Sequence, residues 1–550
     1  MTVELSTQYR INPFQEVIKM KTARIAVAAL LLLCIATTGV FAAGQAESAA
    51  APRELTVWEG LWYNAAVSVP ALQETPLYQE VERRTGIRVT WVHPAAGQEM
   101  EAFNLMVASH DFPDLIYHNW LSYPGGPERA IGDNVVIRLN QIVDEHMPNL
   151  AGHLDRNPEW AKAAVTDEGT LFQIPFIRGH EDLMVFYGPQ LRADWLEELG
   201  LDLPETLDDW EEVLVAFQQN GLSEHPLTFT SLTQGGRGIN APGNAFIQPF
   251  GTTWAFHQEN GRVYFGPYRD EFRDFLVFFR EWFDRGLVDP EFVSQDRAAM
   301  DAKVLNGVVG AWTNYTGSGI GAYLDALSGR DEVFEIVPAP YPVVNRGDTP
   351  FFGQRDNPLP GAGMAISTQA RDPQLAAEWA DFAYSEEGHL LFNFGIEGES
   401  YEWVTDYPGW EGERFPQYTD LMTNDPDGRT LAQMGGLYTR SFYSGPIIQD
   451  RRYIWQYAHR PTQREAIQVW ARTDATQHMM PNVSATPEES EELGAIMSEI
   501  NTFRDEMVIR FILGQEPLGN FESFQNQLRR MGIERAIEIQ QAALDRYNAR

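Results

Sequence analysis

Three short stretches set aromatic rings beside side-chain amides: Trp58, Trp62, Tyr63 and Asn64, then His118, Asn119 and Trp120, then Trp312, Thr313, Asn314 and Tyr315. A ring supplies a flat apolar plate, and an amide supplies donors and an acceptor in one plane. Together they suit a ligand with an apolar face and a hydrogen-bonding rim. Trp58 and Trp91 fall inside apolar runs and read as core. Trp62, Trp120 and Trp312 stand where such runs give way to loops and are read as facing a cleft, with core packing as the alternative. Arg178 and Glu181 follow the apolar run 171–177, where a solvated loop is the alternative. Trp254 and Phe256 follow Pro249-Phe250-Gly251 and are further candidates. Glu397 and Tyr401 sit in the turn GIEGESY, whose glycines also fit a purely structural turn. Arg440, Tyr443, Arg451 and Arg452 cluster in a very acidic chain. Arginine grips a carboxylate through two parallel hydrogen bonds, so this cluster is either an anion site or a local salt-bridge set.

The elements that must position these residues are legible in part. Leu55–Trp58 reads as a strand. Thr75 caps a helix that has Pro76 at its first position and stops at Gly86. Residues 87–92 alternate as a second strand, 99–109 read as a helix, and 114–117 as a short buried strand. Strand, helix, strand, helix, strand implies parallel pairing and a layered α/β lobe. Beyond it, 169–177 and 183–188 are β candidates, 191–199 and 207–218 helices, 270–285 an amphipathic helix, and 308–312 a central strand. Residues 372–385, 488–514 and 520–548 read as helical, and 340–360 and 403–430 as long surface loops. The expected organisation is residues 54–175 mainly in one lobe and 176–335 mainly in a second. Residues 336–550 return to the first lobe and hinge, with a helical C-terminal part. In open α/β sheets ligands sit beyond the carboxyl ends of strands.

Composition narrows the function. The 550 residues carry a formal charge of −36, which repels nucleic acid and anionic lipid. Residues 20–42 combine Lys21 and Arg24, an apolar run from Ala26 to Ile35, and small residues at Val40 and Ala42, the pattern of an export signal. Met20 is read as the start, and 43–53 as a flexible tether. Cys34 is the only cysteine. It lies inside the apolar run after large residues, which favours a released periplasmic or secreted chain over a lipid anchor at Cys34. A lone cysteine excludes a disulfide framework. Neither a phosphate-binding glycine motif nor a nucleophile elbow is present, and the histidines lack metal-ligand spacing. Gly235-Gly236-Arg237-Gly238 reads as a loop, and Asp425-Pro426-Asp427-Gly428 as a turn. No cofactor is expected.

A family pattern runs through the same segments. TPLYQEVERRTGIRVTW (75–91), FNLMVASHDFPDLIYHNW (103–120), LFQIPF (171–176), LRADWLEELGL (191–201) and PETLDDWEEVLVAF (204–217) stand in order. GVVGAW (307–312), AAEWADFAYSEEGHLLFNFGIEGESY (376–401), SEINTFRDEMVIRFILGQEPL (498–518) and ALDRY (543–547) follow. The chain resembles the extracellular solute-binding proteins of carbohydrate ABC transporters, family 1. Within them it is closest to the long lipoprotein-like subgroup associated with aldouronate and other oligosaccharide uptake. The resemblance implies a two-lobed, type II periplasmic-binding-protein-like α/β fold, with hinged lobes closing on an interlobe cleft. It implies a monomer that binds an oligosaccharide, uronate-bearing ones included, and delivers it to membrane permease subunits without breaking a bond. A pyranose, with its C–H face and hydroxyl rim, fits the aromatic-amide pairs. The ligand-binding candidates are then Trp62, Tyr63, Asn64, Asn119, Trp120, Arg178, Trp254, Trp312, Asn314, Glu397, Tyr401, Arg440 and Tyr443. The chain departs from the family in its unclear lipoprotein motif, its scarce lysines and an extended aromatic segment at 437–457, the last able to reshape the ligand pocket. An extracellular glycosidase, a surface adhesin or structural protein, and a binding protein for a non-sugar solute are the rival readings.

Overall fold

The computed structural model describes residues 53–230, 245–329, 333–443 and 445–550. The export signal, Cys34, the tether up to residue 52 and the Gly235–Gly238 loop lie outside the described residues.

The amino-terminal lobe follows from its punctuation. Strand β1 (Glu54–Trp58) buries Leu55 and Val57. The helix Pro76–Thr85 begins where the Thr75 hydroxyl accepts from the Tyr78 amide, and ends at Gly86, whose φ of 66° places it in the left-handed region. It buries Leu77, Tyr78 and Val81. Strand β2 (Arg88–Val92), the helix Glu99–Ser109 and β3 (Leu115–His118) complete the unit. β1 pairs parallel with both β2 and β3, as the alternation of elements implies.

The chain next forms β4 (Ile174–Arg178) and passes to other strands: β5 (Tyr187–Arg192), the two-residue β6 (Leu227–Thr228), and a hairpin of β7 (Phe256–Glu259) and β8 (Arg262–Phe265). Then come β9 (Ala311–Tyr315) and β10 (Ile336–Pro338). β11 (Gly363–Ile366) is followed by a second hairpin, β12 (Tyr401–Val404) with β13 (Phe415–Tyr418), and finally by β14 (Ile447–Gln449). Two principal sheets result, one ordered β14-β4-β11-β3-β1-β2 and the other β10-β5-β9-β6. The chain moves between them at 179–186, at 339–362 and again after β14, when Trp470 packs on the second sheet and donates to the Ala339 carbonyl at 3.0 Å. This is the two-lobed α/β architecture of type II periplasmic binding proteins.

Each sheet has its own core. Val57, Leu77, Leu115, Ile174, Met364 and Trp379 fill the first. Trp210, Phe217, Phe275, Phe279, Trp282 and Trp312 fill the second. The C-terminal helices Pro487–Ile512 and Phe521–Arg530 do not return to the first sheet. Their Val508, Phe511 and Phe524 belong to the second core. Among the described residues no helix is long and apolar enough to cross a membrane.

Several residues expected at a cleft are core instead. β9 runs three residues beyond Trp312, so Trp312 lies inside a strand. It is fully buried, donates to Gln190 Oε1 at 2.8 Å and meets Tyr323 edge-on. Asn314 is buried too, its amide donating to the Tyr323 hydroxyl at 2.7 Å. Trp120 turns back after β3 against Phe103, with its indole N–H on the Gly363 carbonyl at 3.2 Å. Trp254 is buried against Phe272 of the amphipathic helix Asp270–Asp284, beneath the Arg504 guanidinium. Tyr401 packs on Phe394 and Trp403. The region 403–430 is less open than its Pro, Gly and Asp content suggests, because Phe415–Tyr418 returns to pair with Tyr401–Val404.

A buried indole of this kind is a packing element. Trp312→Ala should lower unfolding stability by about 3–5 kcal/mol, read as a drop in urea midpoint at unchanged slope. A near-normal midpoint would overturn the packing role of Trp312.

Candidate functional site

All the parallel strands of the first sheet end at one edge. There β1 ends at Trp58, β3 at His118, β4 at Arg178 and β14 at Gln449, while the antiparallel β11 starts there with Gly363. A cavity of about 580 Å³ opens at this edge. Trp58, Glu59, Trp62, His118, Asn119, Arg178, Tyr443, Gln449 and Tyr453 are among the residues that line it. A second cavity of about 190 Å³ adjoins it and shares Arg178, Phe442 and Tyr453. Its far wall, Phe186 with Tyr315 to Ser318, belongs to the start of β5 and the end of β9. The two form one groove from the first sheet to the second. A third cavity, about 740 Å³, lies away from both strand edges, between the 340–350 loop and the helix Pro461–Trp470. Its only ring, Tyr341, is buried and bonded to the Tyr187 carbonyl, so it offers no aromatic plate.

The groove is aromatic on both sides. Tyr443 is half-buried and lies flat on Trp62, centroids 4.6 Å apart at 18°. Trp62 therefore backs the plate that Tyr443 presents. Phe442 meets Tyr453 and Tyr457 edge-on, at 5.2 and 4.9 Å. Across the groove Phe186 and Tyr315 lie nearly parallel at 5.9 Å. Arg178 sits between the two walls, its guanidinium 5.0 Å from the Phe176 ring and 5.2 Å from the Phe186 ring. It donates to Asp356 Oδ2 at 2.7 Å and to Gln449 Oε1 at 2.8 Å. The exposed Asn119 adds an amide at the mouth.

A buried ion pair stands behind this wall. The fully buried Arg440 donates to both carboxylate oxygens of Glu59, at 2.7 and 2.9 Å, and to the Tyr78 hydroxyl. Glu59 also accepts from the Trp62 indole at 2.9 Å, and the Arg440 guanidinium lies 4.9 Å from the Trp62 ring. Burial works against the Arg440 charge, but Glu59 outweighs it, and the guanidinium is held more firmly protonated than usual. Arg440 is thus not available to grip a ligand carboxylate, as the sequence had suggested. Its partner lies 381 residues away, beyond any local pattern. Arg451 and Arg452 are likewise engaged, with His180 and Asp450.

Of the expected ligand contacts, Trp62, Asn119, Arg178 and Tyr443 come together at this groove, and Asn64 lies beside Tyr443. Tyr63 is 82% exposed on a single helical turn and does not line the groove. Glu397 is exposed in its turn, away from the groove, and Trp120, Trp254, Trp312, Asn314 and Tyr401 are buried. Sequence reading did not single out Phe186, Phe442, Gln449, Tyr453 and Tyr457. The signal for three of them was the aromatic density of 437–457. Among the described residues no cluster of ligating side chains could hold a metal. Asp425 instead accepts from Arg429.

Two outcomes follow from these contacts. Removing Arg440 leaves Glu59 buried without its counter-charge, so Arg440→Ala should cost about 3–5 kcal/mol of stability. The pair replaced together, Glu59→Leu with Arg440→Met, should recover most of it in chemical denaturation. His118, stacked on Phe103 at 3.7 Å, is pushed down to about 4 by burial. An unfolded histidine titrates near 6.5. The unfolded chain therefore binds more protons between about 4 and 6.5, and stability, full above that window, falls as pH drops through it. His257 is also pushed down to about 4, chiefly by burial, and acts in the same sense. His118→Asn should flatten the pH dependence of the urea midpoint without abolishing it.

The comparisons agree with this architecture. Residues 70–389 match the family model described as bacterial extracellular solute-binding protein. The fructooligosaccharide ABC transporter substrate-binding protein FusA of Streptococcus pneumoniae serotype 4 is 23% identical over 501 residues, 86% of this chain and 88% of that protein. The lipoprotein LipO of Bacillus subtilis is 26% identical over 345 residues, 60% of this chain and 64% of that protein. Among solved structures, the alginate-binding protein AlgQ2 without calcium superposes with a TM-score of 0.72 at 21% identity, covering 90% of this chain and 98% of that one. FusA as an EF-hand mutant in complex with fructo-nystose gives 0.71 at 21%, covering 90% and 99%. With more than half its length matched, the chain belongs to the bacterial extracellular solute-binding protein family.

Proposed function

We propose that this protein is the extracytoplasmic substrate-binding component of an ABC importer, and that its groove takes an oligosaccharide, which it hands intact to membrane permease subunits. The observation that carries the reading is the groove itself. It presents partly exposed rings on both walls, with an amide, a guanidinium and carboxylates between them. Rings stack on the C–H faces of sugars, and planar polar groups bond their hydroxyls. The relative that binds fructooligosaccharides and the neighbour that binds alginate both support an oligosaccharide over a peptide.

On this reading the chain acts as a monomer, exported by residues 20–42, and released rather than anchored at Cys34. One lobe is built mainly on residues 54–175 and the other mainly on 176–335, with later strands completing each. A saccharide touching both walls favours the closed arrangement by the difference in its affinity for the two states. Tyr443, backed by Trp62, is the principal plate on the first wall, and Phe186 and Tyr315 are its counterparts on the second.

Isothermal titration against neutral and acidic oligosaccharides of three to five rings should give heat with at least one member. Tyr443→Ala should weaken that binding tenfold or more, about 1.4 kcal/mol, while leaving the thermal midpoint near that of the parent. The bound sugar should be recovered uncut after prolonged incubation. Shortened products would point to a glycosidase, and silence across the whole panel would remove the oligosaccharide reading.

A further inference from the structure

We infer that the groove selects uncharged oligosaccharides and discriminates against uronate-bearing ones, an inference that rests on the oligosaccharide reading above. A carboxylate entering a partly dry groove loses hydration and needs a cation with donors to spare. Among the described lining residues Arg178 is the one guanidinium, and Glu59, Glu99 and Asp182 are carboxylates. Arg178 is neutralised by Asp356 at 2.7 Å. Its Nε and one Nη bond that carboxylate, and the other Nη bonds Gln449. The N–H groups that remain can serve a hydroxyl, but the positive charge already has its partner.

Two cations behind the lining are matched in the same way, and the exposed Arg451 is engaged by His180. Arg440 is paired with Glu59, and Arg297, which reaches the Ser318 carbonyl on the second wall, is paired with Asp301. His118 is held neutral by burial at ordinary pH. Glu99, exposed at the mouth, has no cation within ion-pair distance among the described residues. A ligand carboxylate would therefore meet a wall of net negative charge on a chain already at −36. Sugar hydroxyls, by contrast, can donate to Glu99 and the Asn119 amide oxygen and accept from Arg178. Like-charge juxtaposition rejects wrong partners and weakens with salt.

The test is titration at low and high salt against two panels. The neutral panel is kestose, nystose, xylotriose and maltotriose. The acidic panel is trigalacturonate, trimannuronate and a glucuronate-substituted xylotriose. The expected result is binding within the neutral panel, with every uronate at least tenfold weaker and the gap narrowing at high salt. Glu99→Gln should narrow the gap further. Asp356→Asn, which strips Arg178 of its counter-charge, should raise uronate affinity relative to neutral sugar. If Asp356→Asn does not fold, Glu99→Gln alone decides, since Glu99 is exposed. A uronate bound as tightly as any neutral sugar, or a gap that neither salt nor Glu99→Gln changes, overturns the selectivity and leaves the oligosaccharide reading standing. Silence from both panels overturns the two together.

Discussion

The contact between Glu59 and Arg440 holds the functional edge of the first sheet in place. Glu59 leaves the end of β1, and Arg440 follows the helix Leu431–Tyr438, 381 residues further along the chain. Buried charges are tolerated only when paired and hydrogen-bonded, and here both carboxylate oxygens, the Tyr78 hydroxyl and the Trp62 indole satisfy the pair. The backbone around it conforms to the guanidinium. Gly445 has a φ of 141°, and a Cβ there would fall within 2.0 Å of Arg440. Three residues on from Arg440, Tyr443 lies flat on Trp62, and Phe442 beside it packs edge-on against Tyr453.

This arrangement explains why the site draws on such distant parts of the chain. The sheet edge supplies polar side chains at strand ends, but little flat surface, since Trp120 and Trp312 are consumed by the cores. Most of the flat surface comes from 437–457, a single aromatic segment laid across the gap between the sheets, with Phe186 and Tyr315 opposite. Arg178, at the end of β4 and just before the chain leaves the first sheet, touches both walls and is tied to Asp356 in the returning connection. The polar lining of the groove and the connection between the sheets thus share residues.

Much of the fold could be read from sequence where the signals were local. The Thr75-Pro76 start and Gly86 stop bracket their helix as read, and the strand-helix alternation of 54–118 correctly gave parallel pairing. The misreadings have tertiary causes. Residues 187–192 form a fully buried strand although Gly188 and Pro189 punctuate them. Gly188 is needed because a Cβ would meet the Trp470 ring at 2.5 Å, a neighbour far off in sequence. The apolar run 308–312 puts Trp312 at a strand end, whereas β9 continues three residues further to Tyr315. The arginine cluster is visible in the sequence as unusual in an acidic chain, but the pairing of Arg440 with Glu59, just past the first strand, is not. Trp62, Asn119, Arg178 and Tyr443, singled out by type and position, lie together at the groove. The other aromatics of the groove were visible only as a density of rings.

The strand order of the first sheet has a consequence for how such a chain is made. β11, the strand that joins β3 to β4, comes from residues 363–366, and β14 from 447–449. A nascent chain that has just delivered β4 has nothing to lay it against. β1, β2 and β3 can pair with one another, but β4 must wait while the whole second sheet is synthesised. Pairings of such long sequence separation form slowly. The sheet whose edge lines the groove is therefore completed late, and no fragment ending before residue 363 can contain it whole.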